Sequence, residues 1–258
     1  LTARNKLERL QNCLRAFGKV GIAFSGGVDS SFLLSSAIDT LGAENVLALH
    51  ARSCLQKHEE QERAATQPVL RIVPVEPLSW LEFVLNPPNR CYLCKRRIYQ
   101  LFQEILTEEG FSCLLDGTNV DDVEKGETGR PGLRAIAELG VRTPLADCGL
   151  RKTEIRKLSR KAGLDTWNQP SGSCLATRLP TGMEITAERL KRVAAIEQLL
   201  AETGFFGCRL RLFDDEAVCL QLQQKDIDRF CAPAVRRMVC GLLKNHGAGK
   251  IFFDLEGR

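Results

Sequence analysis

The sequence predicts an α/β domain, a parallel sheet with helices on both faces, followed by a smaller C-terminal α+β domain. Three observations carry this. Short β-branched runs alternate with amphipathic stretches over most of the 258 residues, the pattern of strands joined by crossover helices. The first such run ends in a Ser-Gly-Gly turn that re-enters a helix. Around Pro170 to Pro180 the alternation gives way to a loop rich in Pro, Gly and Ser. The boundary is therefore placed at 180, giving domains of residues 1–180 and 181–258.

The elements follow in order. Leu7, Leu10, Leu14 and Phe17 share one face of a helix over 5–17, and Lys19 to Phe24 reads as a short buried strand. After the glycine turn come a helix from Ser30 to Leu41, a strand from Asn45 to Ala51, a polar helix from His58 to Gln67 and a strand from Leu70 to Val75. A helix over Lys95 to Glu109 and a strand Cys113 to Asp116 extend the alternation. In the second domain a long helix, Thr186 to Thr203, precedes two alternating runs, Cys208 to Phe213 and Ala217 to Gln223. A helical region from Lys225 to Asn245 and a last run, Lys250 to Leu255, complete it.

Composition narrows the function. Hydrophobic content of 44% and charged content of 26% belong to a folded globular chain. No apolar run approaches the roughly 18 residues of a membrane span, and no signal-peptide pattern opens the sequence, so a soluble, cytoplasmic protein is expected. A net charge of +4 without a basic tail suits phosphorylated small molecules better than a large nucleic-acid surface. Eleven cysteines, odd in number and irregularly spaced, argue against a disulfide scaffold. Cys13, Cys219 and Cys240 lie among aliphatic residues as small hydrophobes.

The chemistry concentrates in two places. Ser25-Gly26-Gly27-Val28-Asp29-Ser30 puts backbone N–H groups and a helix N-terminus at the carboxyl edge of the sheet, which is an anion site. Its glycines permit close approach, and the Ser25 and Ser30 hydroxyls are donors. The lysine of a Walker A loop is absent, so the loop suits a pyrophosphate that departs as one unit. Asp116-Gly117-Thr118-Asn119 ends another strand at the same edge. Further on, Arg90-Cys91-Tyr92-Leu93-Cys94-Lys95 sets two thiols three residues apart amid positive charge, which favours thiolates. They supply half of a zinc site or part of an iron–sulfur site, and redox chemistry fits the same spacing. Cys174, in Ser173-Cys174-Leu175-Ala176-Thr177-Arg178, is the candidate distant ligand.

The Ser25–Ser30 segment resembles the PP-loop of the N-type ATP pyrophosphatases. With Asn89 to Lys95, Arg142-Thr143-Pro144-Leu145, Lys152-Thr153-Glu154-Ile155-Arg156 and Ser173 to Arg178 following in that order, nearly the whole chain resembles the LarE family, sulfur transferases that make the nickel-pincer nucleotide cofactor of lactate racemase. The resemblance implies ATP with magnesium, held by Phe24, Ser25, Gly26, Gly27, Asp29, Ser30, Gly117 and Thr118. It implies adenylation of a carboxylate of pyridinium-3,5-dicarboxylic acid mononucleotide, then entry of sulfur with loss of AMP. Asp29, Cys174 and Arg178 are the implied catalytic residues. Sulfur comes from one of two sources in this family: Cys174 gives up its own and becomes dehydroalanine, or Cys91, Cys94 and Cys174 hold a 4Fe-4S cluster that carries hydrosulfide. The presence of both Cys91 and Cys94 favours the cluster. The implied partners are the mononucleotide and sulfide, in a homo-oligomer.

Weaker signals complete the reading. Arg209 and Arg211 alternate on a strand and share a face, placed either to clamp the substrate's phosphate or as a solvated strand surface. Glu197 and Asp228 are carboxylates that could hold a divalent ion in the second domain, but they sit in no motif and read rather as solvated helix charge. His50, His58 and His246 form no metal-spaced pair, and Trp80 and Trp167 read as packing residues. Competing functions are an ammonia-using synthetase, a tRNA-thiolating enzyme and a nucleotide sensor with structural zinc. The first needs no cysteine triad and the second usually adds a basic module.

Overall fold

A computed structural model describes residues 2–56, 69–126, 131–170 and 172–258; the helix expected at 58–67 lies outside them. Helix α1 (Ala3–Phe17) is capped by Thr2, whose hydroxyl accepts from the Asn5 N–H. It leads into β1 (Val20–Ala23), α2 (Val28–Leu41), β2 (Val46–Arg52) and β3 (Leu70–Pro74). The long helix α3 (Arg90–Glu108) then crosses to β4 (Cys113–Asp116).

The four strands form one parallel sheet in the order β3-β2-β1-β4, with Val20 opposite both Val46 and Cys113. Helices cover both faces. On one, Leu10 and Leu14 of α1, Phe32 and Leu33 of α2 and Ile155 of a further helix, α4 (Lys152–Lys161), join Val20 and Ile22 in a buried core. On the other, Leu106 of α3 lies against Gly21, where a Cβ would sit 2.3 Å from both Leu106 methyl carbons. Only glycine lets α3 pack that closely. The expected α/β architecture is thus present, with a separate C-terminal sheet.

Two helices differ from expectation. α3 begins at Arg90 instead of Lys95, because buried Tyr92 continues the stripe of Tyr99, Phe102 and Leu106 by nearly two further turns. α4 escapes a hydrophobic reading because only Ile155 and Ser159 are buried in its charged sequence. The Asp121 carboxylate satisfies the Lys152 N–H at 2.6 Å, and Glu154 accepts from the Arg151 N–H at 3.0 Å.

In the C-terminal part, α5 (Ala187–Glu202), β5 (Arg209–Leu212), β6 (Ala217–Gln221), α6 (Pro233–Asn245) and β7 (Lys250–Phe253) form a three-stranded sheet backed by helices. β5 pairs antiparallel with β6, and β6 parallel with β7. Leu210, Leu212, Val218 and Leu220 fill the buried face, while Arg209 and Arg211 lie on the other. Pro233, lacking an N–H, opens a new helix instead of prolonging the turn at Ile227–Cys231.

The chain divides into two compact units: residues 1–53, 58–75 and 89–171, and residues 54–57, 76–88 and 172–258. This is not the single cut at 180. The two short segments enter the second unit through non-local bonds, with the Asn86 amide donating to Pro180 O (2.7 Å) and Met183 O (2.8 Å), Ile185 N to Val84 O (2.9 Å) and Leu175 N to Leu55 O (2.8 Å). Among the described residues, no helix is long and apolar enough to cross a membrane.

Candidate functional site

The strand order fixes where the first unit can bind a ligand. From β1 the chain winds outward to β2 and β3, then crosses back to β4 on the opposite side of β1. The carboxyl ends of β1 and β4 therefore part at a switch point, the crevice such sheets use. Residues 24–30 and 116–119 meet there. Gly117 is pressed against the first turn of α2, where a Cβ would lie 3.0 Å from Ser30 N and 3.2 Å from Asp29 C. Gly26 adopts φ +74°, the left-handed region that favours glycine.

The loop is braced from within. Ser30 donates its hydroxyl to Gly27 O at 3.1 Å and accepts from Ser25 N at 3.3 Å, and the Ser25 and Ser30 hydroxyls are 3.0 Å apart. The Ser30 hydroxyl thus helps to shape the loop. Behind it the buried His50 ring contacts Phe24 O at 2.9 Å. The N–H groups of the first turn of α2 lack helical acceptors by geometry and face the loop. Together they form an anion cradle.

Asp116 roots the second strand end. Its carboxylate accepts from Thr118 N (2.7 Å), the Thr118 and Tyr99 hydroxyls and Lys95 Nζ (3.2 Å). Burial alone would push this carboxyl up, but Lys95 and the hydrogen bonds outweigh burial and hold it below its ordinary value. Burial and Asp116 together raise the Tyr99 phenol. Lys95 and Tyr99 are on α3, the helix that carries Cys91 and Cys94, so one carboxylate joins the thiol-bearing helix to the loop that follows β4. Residue spacing showed neither Lys95 nor Tyr99 as a site residue. α4 supplies another missed residue, Lys152, whose Nζ lies 2.5 Å from Asp29 Oδ2.

In the second unit, Cys174 is exposed and precedes a short helical turn, Leu175–Arg178. Arg178 is 3% exposed and Glu197 fully buried. The guanidinium reaches Glu197 through Nε (2.7 Å) and Nη2 (3.1 Å), and Ser173 Oγ through Nη1 (2.5 Å). Glu197 is thus a buried ion-pair partner and not the solvated charge expected; Asp228 is exposed, as expected. Arg211 donates to Gln221 Oε1 (2.6 Å) and Thr177 O (2.9 Å). Burial first, then Arg258, Arg178 and Arg211, push Arg209 down to about 10. Burial and Arg178 likewise lower Arg258, a residue that no motif in the sequence marks out. Four arginines around one carboxylate leave an excess of positive charge for an anion.

The three candidate metal-binding cysteines divide between the units. Cys91 and Cys94 are half-buried within the first two turns of α3, and Cys174 belongs to the second unit. All eleven cysteines are thiols. Among the described residues, no group of three or more His, Cys, Asp or Glu side chains is gathered to hold a metal ion.

No protein-family model matches the chain. It is 33% identical over 98% of its length to an uncharacterised protein of Synechocystis, covering 94% of that protein. It is 32% identical over 84% of its length to the pyridinium-3,5-bisthiocarboxylic acid mononucleotide synthase of Lactiplantibacillus plantarum, covering 79% of that enzyme. A more distant likeness, 29% identity over 75% of this chain and 66% of the relative, is to one of the subunits of the glutamine-hydrolysing GMP synthase of Thermoplasma volcanium. Similarity of that extent to the mononucleotide synthase, on a parallel α/β sheet with an added C-terminal sheet, shows that the chain belongs to the LarE family.

Proposed function

We propose that this protein is an ATP-dependent sulfurtransferase that converts a carboxylate of pyridinium-3,5-dicarboxylic acid mononucleotide into a thiocarboxylate. The observation that carries this is the glycine-lined cradle where Gly117 meets the first turn of α2. Its backbone donors suit the β–γ pyrophosphate of ATP, and Asp29 is the oxygen donor that would hold magnesium against the phosphates. A carboxylate resists nucleophiles because its leaving group would be oxide. Attack of its oxygen on the α-phosphorus breaks the α–β bond, pyrophosphate leaves, and the resulting mixed anhydride accepts sulfur at carbon and releases AMP. Arg209 and Arg211, with Arg178 beside them, suit the phosphate of the mononucleotide.

For the sulfur source we favour Cys91, Cys94 and Cys174. The donors fit a 4Fe-4S cluster in kind, being thiols of which two share an i, i+3 face of one helix. These three thiolates would hold the cluster, which would supply the means of carrying hydrosulfide. The alternative, sacrifice of the Cys174 sulfur, draws support from the exposure of that residue.

Anaerobic incubation with ATP, sulfide and the dicarboxylate mononucleotide tests the reading. AMP, pyrophosphate and thiocarboxylate are expected in equal amounts; release of ADP would refute it. Iron and acid-labile sulfide in the purified protein, lost in Cys91→Ser, support the cluster. A single turnover that strips hydrogen sulfide from Cys174, detected by mass spectrometry, supports sacrifice.

A further inference from the structure

Within the second unit Cys174 has a neighbouring thiol that no motif in the sequence marks. Segment 54–57 belongs to this unit although the chain on either side of it belongs to the first. A backbone bond ties it there, from Leu175 N to Leu55 O at 2.8 Å. Cys54 stands immediately before Leu55, and Cys174 immediately before Leu175. Both leucines are buried, whereas both cysteines are exposed. The leucines therefore anchor the contact, and the two thiols flank it at the surface. The Cys174 side is braced: Arg178 donates to Ser173 Oγ at 2.5 Å, and the Thr177 hydroxyl and N–H both donate to Cys174 O, at 2.7 and 2.9 Å. The Cys54 side lies in a turn outside any helix or strand, so its backbone can adjust. A disulfide needs Cα atoms about 4.4–6.8 Å apart, a span that residues flanking one backbone hydrogen bond can meet. The other cysteines of the second unit are set elsewhere: Cys208 behind Glu197, whose carbonyl it meets at 3.9 Å, Cys219 in β6, Cys231 in the turn Ile227–Cys231 and Cys240 in α6.

We propose that Cys54 is the disulfide partner of Cys174: on exposure to a peroxide the two sulfurs close a reversible bond that shields Cys174 from irreversible oxidation. The Cys174 thiolate attacks one peroxide oxygen, the O–O bond breaks, and Cys174 becomes a sulfenic acid as hydroxide leaves. The Cys54 sulfur then attacks the Cys174 sulfur, the S–O bond breaks, and the departing hydroxide takes up the Cys54 proton as water. With hydrogen peroxide, the two thiols give up two electrons and two waters form. A dithiol reductant restores both thiols by exchange. Without Cys54 the sulfenic acid goes on to sulfinic acid, which dithiols do not repair. Formation of the bond requires neither nucleotide nor substrate. Its consequence, a reversible arrest of sulfur transfer, rests on the reading of Cys174 as sulfur carrier given above and holds for either source of sulfur.

The test exposes the full chain, wild type and Cys54→Ser, freed of reductant, to hydrogen peroxide. Remaining thiols are alkylated, and peptides are mapped by mass spectrometry without reduction. Wild type should become about 2 Da lighter and yield a linked peptide pair joining Cys54 to Cys174 within a single chain. Dithiothreitol should return about nine-tenths of its Cys174 to the alkylatable form. Cys54→Ser should instead gain about 32 Da at Cys174 and recover no more than about a fifth of it. Should Cys54→Ser not fold, as judged by far-UV circular dichroism, Cys54→Ala takes its place with the same expectations. Cys174 linked to another cysteine or to a second chain, or recovery in Cys54→Ser equal to that of wild type, would overturn the proposal. No linked pair in a protein that makes thiocarboxylate sinks only this proposal, whereas a linked pair in a protein that makes none upholds the disulfide and sinks the sulfur-transfer reading.

Discussion

Replacing Glu197 by Gln removes the carboxylate that offsets the arginine cluster of the second unit. Glu197 Oε1 accepts from Arg178 Nε at 2.7 Å and Leu210 N at 2.9 Å, and Oε2 accepts from Arg178 Nη2 at 3.1 Å. With Arg178 only 3% exposed, its charge has little water to fall back on. Breaking such a buried pair from one side costs about 3–5 kcal/mol, a large share of the roughly 5–15 kcal/mol that holds a domain together. Urea unfolding followed by far-UV circular dichroism should therefore show the midpoint lowered by about 1–3 M, for a slope near 2 kcal/mol per M. Anion binding should oppose the loss. Arg209, pushed down to about 10 by burial and its arginine neighbours, disfavours its own charge in the fold, so it subtracts stability at neutral pH and ceases to as pH rises through 10 toward its unfolded value. Inorganic phosphate supplies the missing counter-charge without a pH change, and should raise the midpoint in wild type and more steeply in Glu197→Gln. A midpoint lowered by less than about 0.3 M, or one indifferent to phosphate in both proteins, would refute this account of the cluster.

Three further expectations follow from packing and charge. Gly117→Ala drives a Cβ to 3.0 Å from Ser30 N and 3.2 Å from Asp29 C, which are backbone atoms that cannot swing aside, so nucleotide-analogue affinity should fall at least tenfold by calorimetry. Gly21→Ala meets Leu106 at 2.3 Å and should destabilise by about 1–3 kcal/mol; adding Leu106→Ala should relieve the clash, measurable as non-additive melting temperatures. Asp116 is held below its ordinary value, so its contribution is present above about pH 4 and lost as pH falls through the lower folded value. In Lys95→Met that carboxyl loses its chief charge partner, and the rise in stability between about pH 2 and 5 should shrink; an unchanged acid profile would dismiss the ion pair.

The first unit was legible because periodicity and turn chemistry agree there. Val20 to Ala23 is a buried strand ending in glycines, and Cys113 to Asp116 ends in small polar residues, so both ends of the crevice could be placed from local pattern. Cys91 and Cys94 were found by spacing, as was the Arg209–Arg211 face. What local pattern cannot carry is partnership across the chain. Lys152 stands in a helix whose charged sequence has almost no buried stripe, and its contact with Asp29 is made by topology. Glu197 looks like any helix carboxylate until Arg178, nineteen residues earlier, is folded onto it. The segments around Leu55 and over 76–88 join the second unit through backbone bonds and the Asn86 amide, which periodicity does not encode.

The position of β1 between β2 and β4 also orders events during folding. β1 and β2 lie one helix apart in sequence and can pair early, but Val20 meets Cys113 only after more than ninety intervening residues have been gathered in, a closure that is slow relative to local pairing. Until it happens Gly117 has nothing to press against. The Gly117 contact with the first turn of α2 therefore forms late, whereas the i, i+3 spacing of Cys91 and Cys94 is set within one helix and does not wait for the sheet to close.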